Sequence, residues 1–91
     1  MHDVNKLSTL RAFPNPTASH VFLDYELVQS TNVVINVYDN LGRVVLRLDQ
    51  DRQAAGKVQQ NADLSNLAAG IYTLLIQAAG SNAGTIRLIK K

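Results

Sequence analysis

Turn-forming residues interrupt this chain about every ten positions, and the segments between them alternate in polarity instead of following a helical period. The clearest segment spans residues 20–27, where every second residue is apolar, as in a strand with one buried face: Val21, Leu23, Tyr25 and Leu27. No long amphipathic helix is visible in the sequence. The pattern therefore predicts an all-β fold, an antiparallel β-sandwich of about seven strands.

Further strands follow from the same alternation, at residues 33–38, 43–49, 57–62, 71–78 and 85–89. The first two are expected to form a hairpin around Asp39-Asn40-Leu41-Gly42. This is a type I turn in which the Asp39 carboxylate accepts backbone N–H groups and Gly42 takes the last position. The strand at 57–62 is polar enough for a sheet edge, and the strand at 71–78 is apolar enough for a sheet centre. Residues 50–56 are predicted to be a polar connection and residues 79–84 a turn.

Two segments are expected to have distinctive backbone geometry. In Phe13-Pro14-Asn15-Pro16, the residues Pro14, Asn15 and Pro16 exclude a helix and a central strand and predict a rigid corner. Residues 63–70 are predicted to form one short helical turn, with Leu64 and Leu67 directed inward. Gly70 is expected to end that turn in a left-handed conformation.

The first dozen residues are harder to assign. Val4, Leu7 and Leu10 have helix-like spacing, but an edge strand or the end of a linker fits equally well. Residues 1–12 are therefore predicted to be a linker end or a first edge strand, and residues 13–91 the domain itself. The N-terminus has no signal-peptide pattern, so an exported protein would carry that signal on a longer precursor.

Composition excludes several classes of function. The 91 residues suit one domain. The formal net charge is only +2 and the basic residues are dispersed, which argues against a nucleic-acid partner. The chain has no cysteine, and this excludes disulfides, thiol catalysis and cysteine-ligated zinc. No apolar run approaches the ~20 residues of a membrane-spanning helix.

The sequence predicts no catalytic, cofactor or metal site. Of the two histidines, His2 lies near the chain end, and His20 points away from Ser19 on a strand. Asp24 and Glu26 share a strand face about 6.5–7 Å apart, a spacing that suits a carboxylate pair but is better explained by a solvent-facing polar stripe. The aspartates form no dense calcium loop, and the glycines fall at turns instead of a phosphate loop. The tyrosines are expected to pack in the core or on a sheet face, and this role is favoured over lining a carbohydrate- or peptide-binding surface.

Three segments in order resemble the type IX secretion C-terminal sorting domain, type A. The first is Phe13-Pro14-Asn15-Pro16 followed by an alternating strand, and the second runs from Val37 to Val45. The third runs from Asp63 to Tyr72 and is followed by a strand and the basic end Arg87-Leu88-Ile89-Lys90-Lys91. Each segment alone is weakly specific, but together they cover nearly the whole chain from residue 13 onward.

The resemblance implies an Ig-like, non-catalytic domain at the end of a larger secreted protein of Bacteroidetes-type bacteria. Such a domain is recognised in the periplasm by shuttle and translocon components and directs its cargo across the outer membrane. A sortase-like surface peptidase then removes it, leaving the cargo at the cell surface or secreted. The cut is expected before residue 13.

The resemblance also assigns roles to residues. Signal information is expected in the C-terminal strands, from about residue 70 to 91, which gives the candidate recognition residues Gly70, Tyr72, Arg87, Lys90 and Lys91. A second set is expected to shape the backbone and the fold: Pro14, Asn15, Pro16, Asp39, Gly42, Leu64 and Leu67. The last strand is expected at a sheet edge, where unpaired N–H and C=O groups accept a partner strand. Lys90 and Lys91 are either charges read by an acidic partner or protection of that edge against aggregation.

Two other readings remain open on the sequence. A carbohydrate- or protein-binding module of a secreted enzyme would need tyrosines on a concave sheet face. An enzyme would need a pocket that joins His20 to a serine or a carboxylate. Exchange of a strand between two copies could also make the isolated domain a dimer.

Overall fold

The computed structural model describes residues 7–91, and these form seven strands in two antiparallel sheets. The strands are β1 (Leu7–Phe13), β2 (His20–Leu27), β3 (Thr31–Tyr38), β4 (Val44–Gln53), β5 (Gly56–Asp63), β6 (Gly70–Ala78) and β7 (Ser81–Lys90). The three-stranded sheet has the order β1-β2-β5, and the four-stranded sheet the order β4-β3-β6-β7. The predicted all-β antiparallel sandwich is confirmed, as are the edge position of β5 and the central position of β6.

The core lies between the inner faces of the two sheets. Strand alternation places one set of side chains there because successive residues point to opposite faces. Thirteen core residues are at most 7% exposed: Val21, Leu23, Tyr25, Leu27, Val33, Ile35, Val37, Ala62, Leu64, Tyr72, Leu74, Ile76 and Leu88. Full burial of one large aliphatic side chain contributes about 1.5–3 kcal/mol, so the shared inner surface is what holds the sheets together.

Strand β1 is the edge of the three-stranded sheet and pairs with β2 from Leu7↔Leu27 to Phe13↔Phe22. It also packs against β7, because a Cβ atom added at Gly84 would collide with the Cδ2 atom of Leu10. Glycine at position 84 therefore permits the close approach of β1 to β7. Val4 and His2 lie outside the described residues, and the division of the chain at residue 12 stays a prediction.

Two connections are shorter than predicted. β4 continues to Gln53, which pairs with Thr31, so the polar connection predicted at residues 50–56 was wrong. Polar residues continue this strand because β4 is a sheet edge with an outer side open to solvent. The turn predicted at residues 79–84 contains only Ala79 and Gly80, whose φ angles of 54° and 78° suit a two-residue hairpin.

The helical turn predicted at residues 63–70 does not form, since Asp63 still belongs to β5 and the residues after it are not helical. The Leu64 carbonyl accepts one bond from the Leu67 N–H at 2.9 Å, which closes a single turn. The Leu64 N–H donates to the Ser19 carbonyl at 2.7 Å, and the Asp63 carboxylate accepts the Ser65 N–H at 2.9 Å. These partners satisfy the backbone without a helix. Leu64 is fully buried and Leu67 packs against the core, as expected.

Gly70 does not end a helix. It is the first residue of β6, and its φ of 159° lies far from the left-handed helical region. It pairs with Lys90 of β7 across the sheet. Gly42, in contrast, has a φ of 84° in the turn after β3, where glycine is favoured.

Candidate recognition surface at the end of the last strand

The topology brings the distinctive sequence segments to one end of the sandwich. β2 and β6 begin there, and β3 and β7 end there, because each antiparallel neighbour reverses direction. Hydrogen bonds join Asn15 to Arg87 and Leu64 to Ser19, across long stretches of sequence. Tyr38, next to the Asp39 turn, pairs with Thr73 of β6, which in turn pairs with Arg87. The three segments that carry the resemblance thus lie at the same end of the sandwich as the end of β7.

Residues 15–17 cover the outer edge of β7 and are called the clasp below. The Asn15 side chain donates from Nδ2 to the Arg87 carbonyl at 2.7 Å and accepts the Ile89 N–H at Oδ1 at 3.0 Å. The Thr17 N–H donates to the Ile89 carbonyl at 2.9 Å, and the Thr17 carbonyl accepts the Lys91 N–H at 2.8 Å. Thr17 and Lys90 form a parallel bridge. The clasp therefore occupies the edge as a short, incomplete extra strand.

Thr17 anchors the clasp to the rest of the domain. It is 3% exposed, and its hydroxyl donates to the His20 carbonyl at 2.6 Å and accepts the Ser19 N–H at 3.2 Å. These bonds fix the chain where it enters β2. Pro14, Asn15 and Pro16 are exposed, so the clasp buries little surface apart from Thr17.

Of the five predicted recognition residues, Gly70 is partly exposed and pairs with Lys90, and the other four divide into exposed and covered ones. Arg87 and Lys91 are exposed. Tyr72 is 7% exposed, and its hydroxyl donates to the Ala68 carbonyl at 2.6 Å. Lys90 is 9% exposed, and its Nζ donates to the Lys91 carbonyl at 3.3 Å. Lys90 is therefore far less available to a partner than Lys91, although both end the same basic segment.

An apolar pair on this surface was missed from the sequence. Ile71 and Ile89 lie opposite each other on β6 and β7, with exposed fractions of 53% and 39%. The signal was present, since they alternate with the buried Tyr72 and Leu88 and so must face outward. Arg87, Ile89 and Lys91 lie two residues apart and share one outer face.

The Asp39 turn forms as predicted. The Gly42 N–H donates to the Asp39 carbonyl at 3.0 Å, and the Asp39 Oδ1 accepts the N–H groups of Leu41 at 2.9 Å and Arg43 at 3.0 Å. The Arg43 guanidinium adds a bond from Nε to Oδ2 at 2.8 Å. The Arg43 backbone N–H is the main cause that lowers the pKa of Asp39 below its ordinary value, with further contributions from Leu41 and the Arg43 side chain.

This pKa predicts how the turn responds to acid. Because the folded pKa lies below the unfolded value of 3.8, the carboxylate stabilises the fold above that pH. Its contribution is lost as pH falls through the folded pKa. Asp39→Asn should therefore be less stable than the unchanged domain at pH 7, and the difference should shrink below about pH 4. Urea unfolding at several pH values measures this, and a difference that stays constant or grows in acid would contradict it.

The other candidate groups lie on open surfaces. His20 Nδ1 is 3.2 Å from Asn61 Oδ1, and Nε2 is 4.0 Å from Asp63 Oδ1, and the His20 and Asp63 side chains are both about half exposed. The Asp63 pKa is lowered chiefly by hydrogen bonds from Ser65. Within residues 7–91, no three histidine, aspartate or glutamate side chains converge as metal ligands. Nor does any helix in that part of the chain have the length and apolarity to cross a membrane.

A groove of about 680 Å³ lies on the outer face of the three-stranded sheet. Asp24 and Glu26 face it, as the predicted polar stripe requires, together with Arg11, Lys57 and Gln59. Asp24 accepts bonds from Arg11 at 3.5 Å and from Gln59 at 2.9 Å, so the carboxylate belongs to a cross-strand polar row. Tyr25 and Tyr72 are in the core and form no aromatic platform. Burial raises the pKa of Tyr25, whose hydroxyl donates to Gln53 at 3.0 Å.

The fold and this surface define a small antiparallel sandwich whose last strand presents basic and apolar side chains beside an occupied edge. The sequence matches the family described as "Secretion system C-terminal sorting domain" over residues 11–91. The chain belongs to this family, the type IX secretion sorting domains, and acts as a sorting signal for export to the cell surface or secretion. The resemblance seen in the sequence is confirmed.

Comparison with solved structures supports the fold. The crystal structure of dimeric latent PorU from Porphyromonas gingivalis is similar to this chain with a TM-score of 0.64 and 19% sequence identity. The match covers 90% of this chain and 9% of that one, so this chain spans a small part of the PorU length. A comparison with curated proteins gave no significant match.

Proposed function

We propose that this domain carries a larger protein across the outer membrane by binding the shuttle and translocon components of the type IX system in the periplasm. A sortase-like surface peptidase then removes the domain, at a cut before residue 13, and leaves the cargo on the cell surface or secreted. Family membership supports the sorting role. The observation that carries the proposed mode of recognition is the convergence of the sequence segments around the end of β7.

The candidate recognition residues have two kinds of role in this proposal. Arg87 and Lys91 are exposed charges that contact the machinery directly, and the Ile71–Ile89 pair supplies apolar area beside them. Charged and apolar groups in one patch are typical of binding surfaces that need both steering and burial. Gly70, Tyr72 and Lys90 act indirectly, because they are paired or covered and hold the strand ends in place.

We take the domain to be non-catalytic. His20 and Asp63 are the described pair that most resembles a hydrolytic base and its carboxylate partner. They lie on an open strand face and outside the groove. A general base needs a reacting group held within hydrogen-bond reach, and an open sheet face offers no such confinement. The alternative, a carbohydrate- or protein-binding module, relied on a tyrosine platform, and two of the three tyrosines are core residues.

Export of a reporter tests the proposal. Residues 1–91 fused to the C-terminus of a periplasmic reporter should move most of the reporter to the surface of a type IX-competent cell. The same fusion in cells that lack the translocon should remain in the periplasm. Surface labelling and fractionation measure the distribution, and circular dichroism of the purified fusion domain checks its fold. A folded domain that leaves its reporter in the periplasm of competent cells would refute the proposal.

A further inference from the structure

We propose that the outer edge of β7 from Arg87 to Lys91 is a docking site for an extended segment of the export machinery, and that the clasp fills this site until that segment displaces it. The inference rests on the proposed function and adds the mode of binding. Sheet edges present rows of unpaired N–H and C=O groups that accept an added strand. In this domain the docking edge is already filled by residues of the same chain.

The clasp uses the bonding pattern of an added strand. The outward backbone groups engaged on β7 are the Arg87 carbonyl, both groups of Ile89 and the Lys91 N–H. Thr17 meets two of them with its backbone, in a parallel bridge to Lys90. Asn15 meets the other two with its side-chain amide, which imitates a peptide group. The edge therefore pairs with one residue of the clasp in parallel, and an amide side chain engages its next two outward groups.

The clasp is a poor occupant, and this makes exchange feasible. Asn15 bonds β7 through its side chain instead of its backbone, so the main-chain pairing of the clasp with β7 is confined to Thr17. The Asn15 side chain is exposed and flexible compared with a backbone peptide. A continuous segment with a regular backbone would replace the two side-chain bonds with main-chain bonds.

The side chains of β7 indicate what such a segment should carry. Arg87, Ile89 and Lys91 project from the outer face with alternating charge and apolarity, and Ile71 lies beside Ile89. A neighbouring strand places its side chains in register with these. The matching segment therefore has an apolar residue opposite Ile89, with acidic residues on either side of it.

A peptide titration tests whether the clasp and a strand compete for the edge. The probe is a fluorescent synthetic peptide with the sequence Glu-Thr-Val-Thr-Glu, whose alternate residues supply the apolar residue and the acidic residues on either side of it. Asn15→Ala removes two hydrogen bonds from the clasp, and these together correspond to about 5- to 150-fold in an equilibrium. Asn15→Ala should bind the probe tighter than the unchanged domain by a factor in that range. Asn61→Ala, which removes an exposed side-chain bond on β5, should behave as the unchanged domain.

Hydrogen exchange locates the binding. The Ile89 and Lys91 amides should exchange faster in Asn15→Ala and regain protection when the probe is added. Equal probe affinities of Asn15→Ala and the unchanged domain, or protection that appears elsewhere, would overturn the proposal.

A reversible lock provides a second test on one protein. Bridge partners such as Thr17 and Lys90 lie within the Cα separation that a disulfide requires, and the chain has no other cysteine. Oxidised Thr17→Cys/Lys90→Cys should lose probe binding by at least about tenfold relative to its reduced form. Oxidised protein that binds as well as reduced protein would overturn the proposal. Neither assay uses export, so a failure of the sorting role would show separately, as retention of the reporter.

Discussion

Leu88→Ala is expected to lower the free energy of unfolding by about 2–5 kcal/mol, the usual cost of emptying a fully buried leucine site. Leu88 is 0% exposed, lies on β7 and pairs with Tyr72 of β6. A chain of 91 residues has a total stability of about 5–14 kcal/mol, so the loss is a large share. Export of a fused reporter should fall with it, because the recognition surface depends on the last strand being folded.

Ile89→Ala is the matched control, because it is the next residue on the same strand but faces outward with 39% exposed. Its cost should stay below about 1.5 kcal/mol, since less apolar area leaves the protein interior. Urea denaturation of the two variants measures this difference in the free energy of unfolding, and its dependence on urea concentration should be the same for both. Similar losses for both variants would mean that β7 does not contribute Leu88 to the core as described.

Reversing two charges should separate recognition from stability. Arg87→Glu/Lys91→Glu is expected to reduce reporter export at least tenfold, because both exposed cations lie on the face that we assign to the machinery. The free energy of unfolding should change by no more than about 0.5 kcal/mol per site, as for surface substitutions without buried partners. Fractionation of reporter fusions and urea unfolding of the isolated domain give the two quantities.

The control for this pair is Arg52→Glu/Lys57→Glu, which makes the same change in net charge at exposed positions on β4 and β5. These sites lie away from the end of β7, so export should remain near that of the unchanged domain. If both double variants lose export equally, the export machinery responds to the net charge of the domain and not to a local surface. If neither loses export, the roles proposed for Arg87 and Lys91 are wrong.

Local patterns predicted the strands well because burial on one face imposes a period of two. The alternation in residues 20–27 and the Asp39 turn both appear as expected, since each depends on neighbours in sequence. The helical turn predicted at residues 63–70 was wrong because this segment depends on residues that are distant in sequence. Its backbone is satisfied partly by Ser19, a residue that no local pattern connects to Leu64.

The candidate site was predictable only in part. Sequence reasoning placed Asn15 in a rigid corner and Arg87 near a sheet edge, but the bond between them spans 72 positions. Lys90 and Lys91 look equivalent in sequence, yet strand parity and the Thr17 bridge cover one and expose the other. Such differences arise from the packing of segments distant in the chain.

The contact between Leu10 and Gly84 makes the two sides of the sandwich different. On one side of the sandwich, β1 packs against β7. On the opposite side, β4 and β5 are the exposed edges of the two sheets. These edges carry charged residues such as Arg52 and Lys57. Charges on edge strands commonly prevent edge-to-edge association of β proteins. The absence of a side chain at Gly84 thus lets β1 cover one side of the domain, and the edges on the other side rely on charge repulsion to prevent association.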